Sequence, residues 1–152
     1  MGKSCYFIGH SSAPVTVKPL LYDAIIKHIT EYGVTEFYMG CYGSFDYMAA
    51  RALIEIKKLY PHIITYMLLA YHPALRKVDI PKGMDSLFLD GQENVPRAHA
   101  ITRLNQRKVD ESDFLIAYVT HISSGSYKLL DYARAKEKKG KIVITNLAEQ
   151  LK

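Results

Sequence analysis

Cysteine, tryptophan, long apolar runs and low-complexity segments are what this sequence has least of. Of its 152 residues two are cysteines, Cys5 and Cys41, and none is tryptophan. Two thiols build no disulfide framework, and without histidines at matching spacing they make no zinc site; free thiols, no metal and no cofactor are expected. No apolar stretch approaches the ~18 residues of a membrane span. The chain opens directly on a predicted strand, with no charged-then-apolar leader. A soluble, cytoplasmic protein with no membrane partner is the expectation. Internal repeats are absent as well, which excludes solenoids and propellers.

What is present is ordinary globular material. Apolar residues make up 49% and charged residues 23%, enough at this length to bury a core without staples. One domain covering 1–152 is expected, folding alone or as a small homo-oligomer. The formal charge is +5, but the cations are scattered. Their one run, Arg134 to Lys141, contains Glu137 and closes a helix, where the dipole favours positive charge. Nucleic acid is therefore not the expected partner, and a small anionic ligand suits the charge.

Hydrophobic period places the elements. Cys5 to Ile8, Thr35 to Met39, Ile63 to Leu69, Phe114 to Val119 and Lys141 to Thr145 read as short buried strands. Between them Val17, Leu20, Leu21, Ala24, Ile25 and Ile29 recur at helical spacing, with Gly33 as a C-terminal cap. Phe45, Met48, Ala49, Ala52, Leu53, Ile56 and Leu59 do the same ahead of Pro61. Arg97 to Asp110 reads as a less regular helix buried through Ala98, Ile101 and Val109, and a last helix opens near Ser126. Asn146 to Lys152 reads as a polar tail. Pro73 to Pro96 has no period beyond a short strand signal at Ser86-Leu87-Phe88, and irregular connections of that length are usually lids or binding loops. The alternation predicts an α/β fold, a Rossmann-like three-layer sandwich on a mostly parallel five-stranded sheet with strand order 3-2-1-4-5.

In such a sheet ligands bind beyond the carboxyl ends of the strands, where strand order reverses. Three loops of small residues fall there. Gly9, His10 and Ser11 follow the first strand; Gly40, Gly43, Ser44, Phe45 and Asp46 follow the second; Ser124, Gly125 and Ser126 follow the fourth. The serines of the last loop either cap the helix or, with its unpaired N–H groups, hold an anion. His10 either donates to a ligand or bonds its own loop. Gly40 and Gly43 supply positive φ or bare backbone for close approach. Asp46 either complements the helix dipole, accepts bonds from ribose hydroxyls or acts as a base. Arg97, Arg103 and Asn105 are candidates to meet a phosphate or its sugar.

Cys5-Tyr-Phe-Ile-Gly-His10 and Phe37-Tyr-Met-Gly-Cys-Tyr-Gly-Ser-Phe-Asp46 resemble motifs of small bacterial proteins of the SLOG superfamily. Val95-Pro-Arg97, Ala100-Ile101, Asn105, Ser112-Asp113, Ser124-Gly125-Ser126 and Tyr132-Ala133 extend the resemblance over most of the chain. It implies a Rossmann-like domain for nucleotide-derived ligands, related to LOG phosphoribohydrolases and more distantly to nucleoside deoxyribosyltransferases. Those enzymes carry a Glu four residues after the glycine that matches Gly125; Leu129 stands here, and leucine is neither base nor nucleophile. Ser124 replaces the first glycine of that block and Leu104 an arginine. Three functions are thereby expected to compete. One is a binding or sensing domain for a nucleotide or nucleotide-derived ligand. Another is an N-glycosidic hydrolase or transferase using Asp46. The last is an interaction domain with a vestigial crevice.

Overall fold

The computed structural model describes residues 2–120 and 125–151. Its strands are β1 (Lys3–Gly9), β2 (Val34–Met39), β3 (Ile64–Leu68), β4 (Asp85–Leu87), β5 (Phe114–Tyr118) and β6 (Val143–Asn146). The helices are α1 (Val17–Thr30), α2 (Ser44–Leu59), α3 (Ala100–Glu111) and α4 (Gly125–Lys138). All strand pairings are parallel, in the order β4-β3-β2-β1-β5-β6. The five strands read from the sequence keep their expected order, and β4 adds a sixth outside β3. The short strand signal at Ser86-Leu87-Phe88 marks it to within a residue, and it joins the sheet where Tyr66 and Leu68 of β3 pair with Asp85 and Leu87.

Strand side chains alternate between two cores. Cys5, Phe7, Phe114, Ile116 and Tyr118 point into the core under α1 and α2. Tyr6, Ile8, Leu115, Ala117 and Val119 point into the one under α3 and α4. Both faces of β1 and β5 are covered, which is why these strands read as continuous apolar runs. The α2 helix buries Phe45, Met48, Ala49, Leu53 and Ile56 and has no side-chain cap at Gly43. Burying such side chains is worth about 1.5–3 kcal/mol for each large one, so packing sets the position of α2.

Two details depart from the sequence reading. Residues 97–99 form a separate 3-10 turn before α3. That break resets the helical phase, so Ala98 is exposed and the buried side of α3 is Ala100, Leu104, Lys108 and Val109. The expected polar tail begins instead with a buried Asn146, whose side chain accepts from the Val119 N–H and donates to the Val119 carbonyl, both at 3.1 Å. It extends the ladder one step past β5, and Leu147 behind it is fully buried. The segment from Pro73 to Pro96 is largely irregular apart from β4 and a 3-10 turn at Gln92–Asn94. It is anchored by Gln92, whose Nε2 donates to the carbonyls of Ala70 and Ala100 at 3.0 and 3.1 Å. Among the described residues no helix is long and apolar enough to cross a membrane.

Candidate functional site

The carboxyl ends of β1 and β2 and the first turns of α2 and α4 meet across a cavity of about 520 Å³, with α3 along its far side. Of the residues singled out in the sequence, Gly9, His10, Ser11, Gly40, Gly43, Asp46, Asn105, Gly125 and Ser126 line it. A smaller annex of about 80 Å³ opens between Asp46, Asn105 and Leu129.

The wall made by β1, β2 and α2 is built by close packing. At Gly9 a Cβ would stand 2.4 Å from the ring of Phe45, and at Gly40 one would stand 3.0 Å from Oδ2 of Asp46. Neither Gly40 nor Gly43 has a positive φ; their bareness serves other protein atoms, Asp46 in one case and the Ser11 backbone in the other. Phe45 is fully buried and belongs to the core. Ser44 is a strap: its N–H donates to the Ser11 carbonyl at 3.0 Å and its hydroxyl accepts from the Ala13 N–H at 2.7 Å. Phe45 and Ser44, both expected at the ligand, thus act on the wall from behind it.

Asp46 is half-buried in the first turn of α2. Burial pushes its carboxyl up to about 7, a hydrogen bond to the Tyr42 backbone opposes this, and no neighbouring cation contributes. Near neutral pH the group therefore exists as both acid and carboxylate, the condition for moving a proton. His10 is buried, and its Nε2 accepts from the Thr120 N–H at 2.6 Å with the Thr120 hydroxyl at 3.1 Å. An amide N–H always donates, so the ring proton of this tautomer sits on Nδ1. Of the two readings of His10 a bond to a loop is present, but to the one after β5 and not to its own, on a ring that also lines the cavity.

The opposite wall is looser. Among the described residues a Cβ on Gly125 would meet no atom within 4 Å. The Ser126 hydroxyl donates to the Gly9 carbonyl at 2.8 Å and ties α4 to the end of β1. Asn105 accepts through Oδ1 from the hydroxyl of the buried Tyr6, which turns its amide nitrogen, unpartnered among the described residues, away from that bond. The expected helix start at Ser126 falls one residue earlier, at Gly125. Ser124 lies outside the described residues.

Two expected cations stand elsewhere. Arg97 borders a separate cavity of about 110 Å³ with Tyr71 and Gln92, and Arg103 lies on the exposed side of α3. The 3-10 turn that displaced Ala98 also turns Arg97 away. No residue of 73–96 is among the described lining, so this segment does not cover the site; it packs outside β3 through Met84 and Phe88. Ser12, Tyr42, Ile101, Thr102 and Leu104 complete the lining. Tyr42 was legible as a residue enclosed by Gly40 and Gly43, and Ile101 as the i−4 neighbour of Asn105, with Leu104 three residues on from Ile101. Among the described residues no group of three His, Cys, Asp or Glu is placed to hold a metal ion.

No protein-family model matches the chain, and no curated protein matches it at a significant level.

Proposed function

We propose that the cavity binds a nucleotide or nucleotide-derived small molecule, as a binding or sensing site of a cytoplasmic SLOG-type protein. The observation that carries this reading is the convergence of the loops after β1 and β2 with the first turn of α4 on one cavity at the carboxyl ends of parallel strands. Doubly wound sheets present ligands there. The positive end of the α4 dipole favours an anion beside Gly125 and Ser126. Asp46 is also among the lining residues, and a sugar hydroxyl suits a carboxylate acceptor. The motif resemblance supports the same ligand class.

The test is mass spectrometry of small molecules released from the purified protein, followed by calorimetry with the four ribonucleoside 5′-monophosphates and ribose 5-phosphate. A co-purified nucleotide-derived compound, or saturable heat with these probes, is the expected result. Neither released compound nor heat would leave the interaction-domain reading in its place.

One observation favours a second reading, N-glycosidic hydrolysis or transfer. Leu129, the position where the resembling enzymes carry Glu, opens on the same annex as Asp46, so a carboxyl group with pKa about 7 stands near where that chemistry needs one. Release of free base from nucleosides or nucleotides, followed by chromatography and lost in Asp46→Asn, is what that reading expects. Intact substrate after prolonged incubation excludes it.

A further inference from the structure

The cavity has two chemically different ends. Gly125 and Ser126 stand at one, at the head of α4 and beyond β5. Tyr42 stands at the other, beyond β2. Only β1 separates β2 from β5 in the sheet, so the two ends lie about 10 Å apart, two interstrand spacings. A ribose separates a phosphate from its base over a comparable span.

Tyr42 is held from three directions. Its hydroxyl accepts from the Ala70 N–H at 2.8 Å, at the end of β3. Its ring meets the edge of Tyr71 at 6.2 Å and 76°. The guanidinium of Arg76 lies 4.9 Å from its centroid and 5.4 Å from that of Tyr71. A ring fixed in this way loses little rotamer freedom when a ligand arrives, and pre-organised contacts convert more of their energy into affinity. From α3, Ile101 and Leu104 bring aliphatic surface to the same cavity. Aromatic and aliphatic walls suit a flat ring, while Asp46, Asn105 and Ser126 supply polar atoms elsewhere in the lining.

We infer that Tyr42 is the stacking platform for the planar base of the ligand, with Ile101 and Leu104 bounding the base slot and Arg76 bracing Tyr42 from outside the lining. The inference rests on the reading of the cavity as a nucleotide site. It adds that the base, and not the sugar phosphate alone, contributes to affinity, through a contact that tolerates more than one base because every base has a π-face.

Calorimetry on wild type, Tyr42→Phe and Tyr42→Leu with the four ribonucleoside 5′-monophosphates and with ribose 5-phosphate, which has no base, tests it. Tyr42→Leu is expected to weaken the nucleotides about tenfold and to leave ribose 5-phosphate unchanged, which also shows that the variant is folded. Tyr42→Phe keeps the ring and is expected to keep most nucleotide affinity. Equal nucleotide affinity in wild type and Tyr42→Leu overturns the inference and leaves the site reading intact. So does a loss shared equally by ribose 5-phosphate. If wild type binds none of the probes, the site reading fails first and the inference falls with it.

Discussion

The two walls of the cavity are built on opposite terms. On the β1, β2 and α2 wall nearly every small or polar group serves the protein: Phe45 fills the space a Gly9 side chain would need, Asp46 does so at Gly40, and Ser44 joins two loops. On the α3 and α4 wall, among the described residues, space is left open at Gly125 and an amide nitrogen is left over at Asn105. A glycine in a binding loop therefore means different things on the two sides. On one it admits a neighbouring residue, and on the other it leaves room for something else.

The comparison is broken most directly at Gly9. Gly9→Ala drives a methyl into a fully buried ring, and a loss of about 3 kcal/mol in urea-melt stability is expected, the upper range for overpacking. The double variant Gly9→Ala with Phe45→Leu is expected to recover part of it, a coupling that a double-mutant cycle reads. Additive losses would show that the two residues do not share the space.

Asp46 sharpens the contrast through pH. Its folded pKa of about 7 lies above the ordinary 3.8, so the folded protein keeps a proton that the unfolded chain releases. Its contribution to stability is then greatest at low pH and declines as pH rises from about 4 to 7, levelling off above that. Asp46→Asn is expected to remove this slope and to be the more stable protein at pH 8. Chemical melts of both proteins from pH 4 to 8 measure it, and parallel curves would contradict it.

A smaller effect belongs to Ser44, whose hydroxyl bond to the Ala13 N–H spans the β1 and β2 loops. Ser44→Ala is expected to cost about 1 kcal/mol while leaving ribose 5-phosphate affinity unchanged, since Ser44 works behind the wall. The smallest expected effect is at His28, far from the cavity, where burial lowers the pKa below 6.5 and Nδ1–H donates to the Ala24 carbonyl. Here the unfolded chain binds the extra proton, so stability falls as pH drops below about 6.5, opposite in sign to Asp46. His28→Gln should flatten the acid side of the profile in the same melts.

The frame of the molecule was legible because strands covered on both faces announce themselves as apolar runs, and the stripe of α2 from Phe45 to Ile56 as a period. The strand order followed from the crossover rule. What escaped reading was whatever pairing or phase decides locally: the place of β4 at the sheet edge, since its three-residue signal does not say what it pairs with; Ala98 and Arg97, turned outward by a 3-10 turn; and Asn146, which takes its place from the end of β5. At the site, the sequence identified which loops converge. It did not separate residues on the cavity surface from those one layer behind, because Ser44 and Phe45 differ from Asp46 only in the direction their side chains take from one helix turn.

The measurement that bears most directly on the central claim is ribonucleotide binding to wild type and Gly125→Val by calorimetry. Among the described residues a Cβ at Gly125 meets nothing within 4 Å, so the variant is expected to fold with an unchanged circular dichroism spectrum and melting point. Its branched side chain fills the space beside the first turn of α4, and the four ribonucleoside 5′-monophosphates are expected to lose binding altogether. Undiminished nucleotide affinity in folded Gly125→Val would contradict the assignment of this cavity as the ligand site.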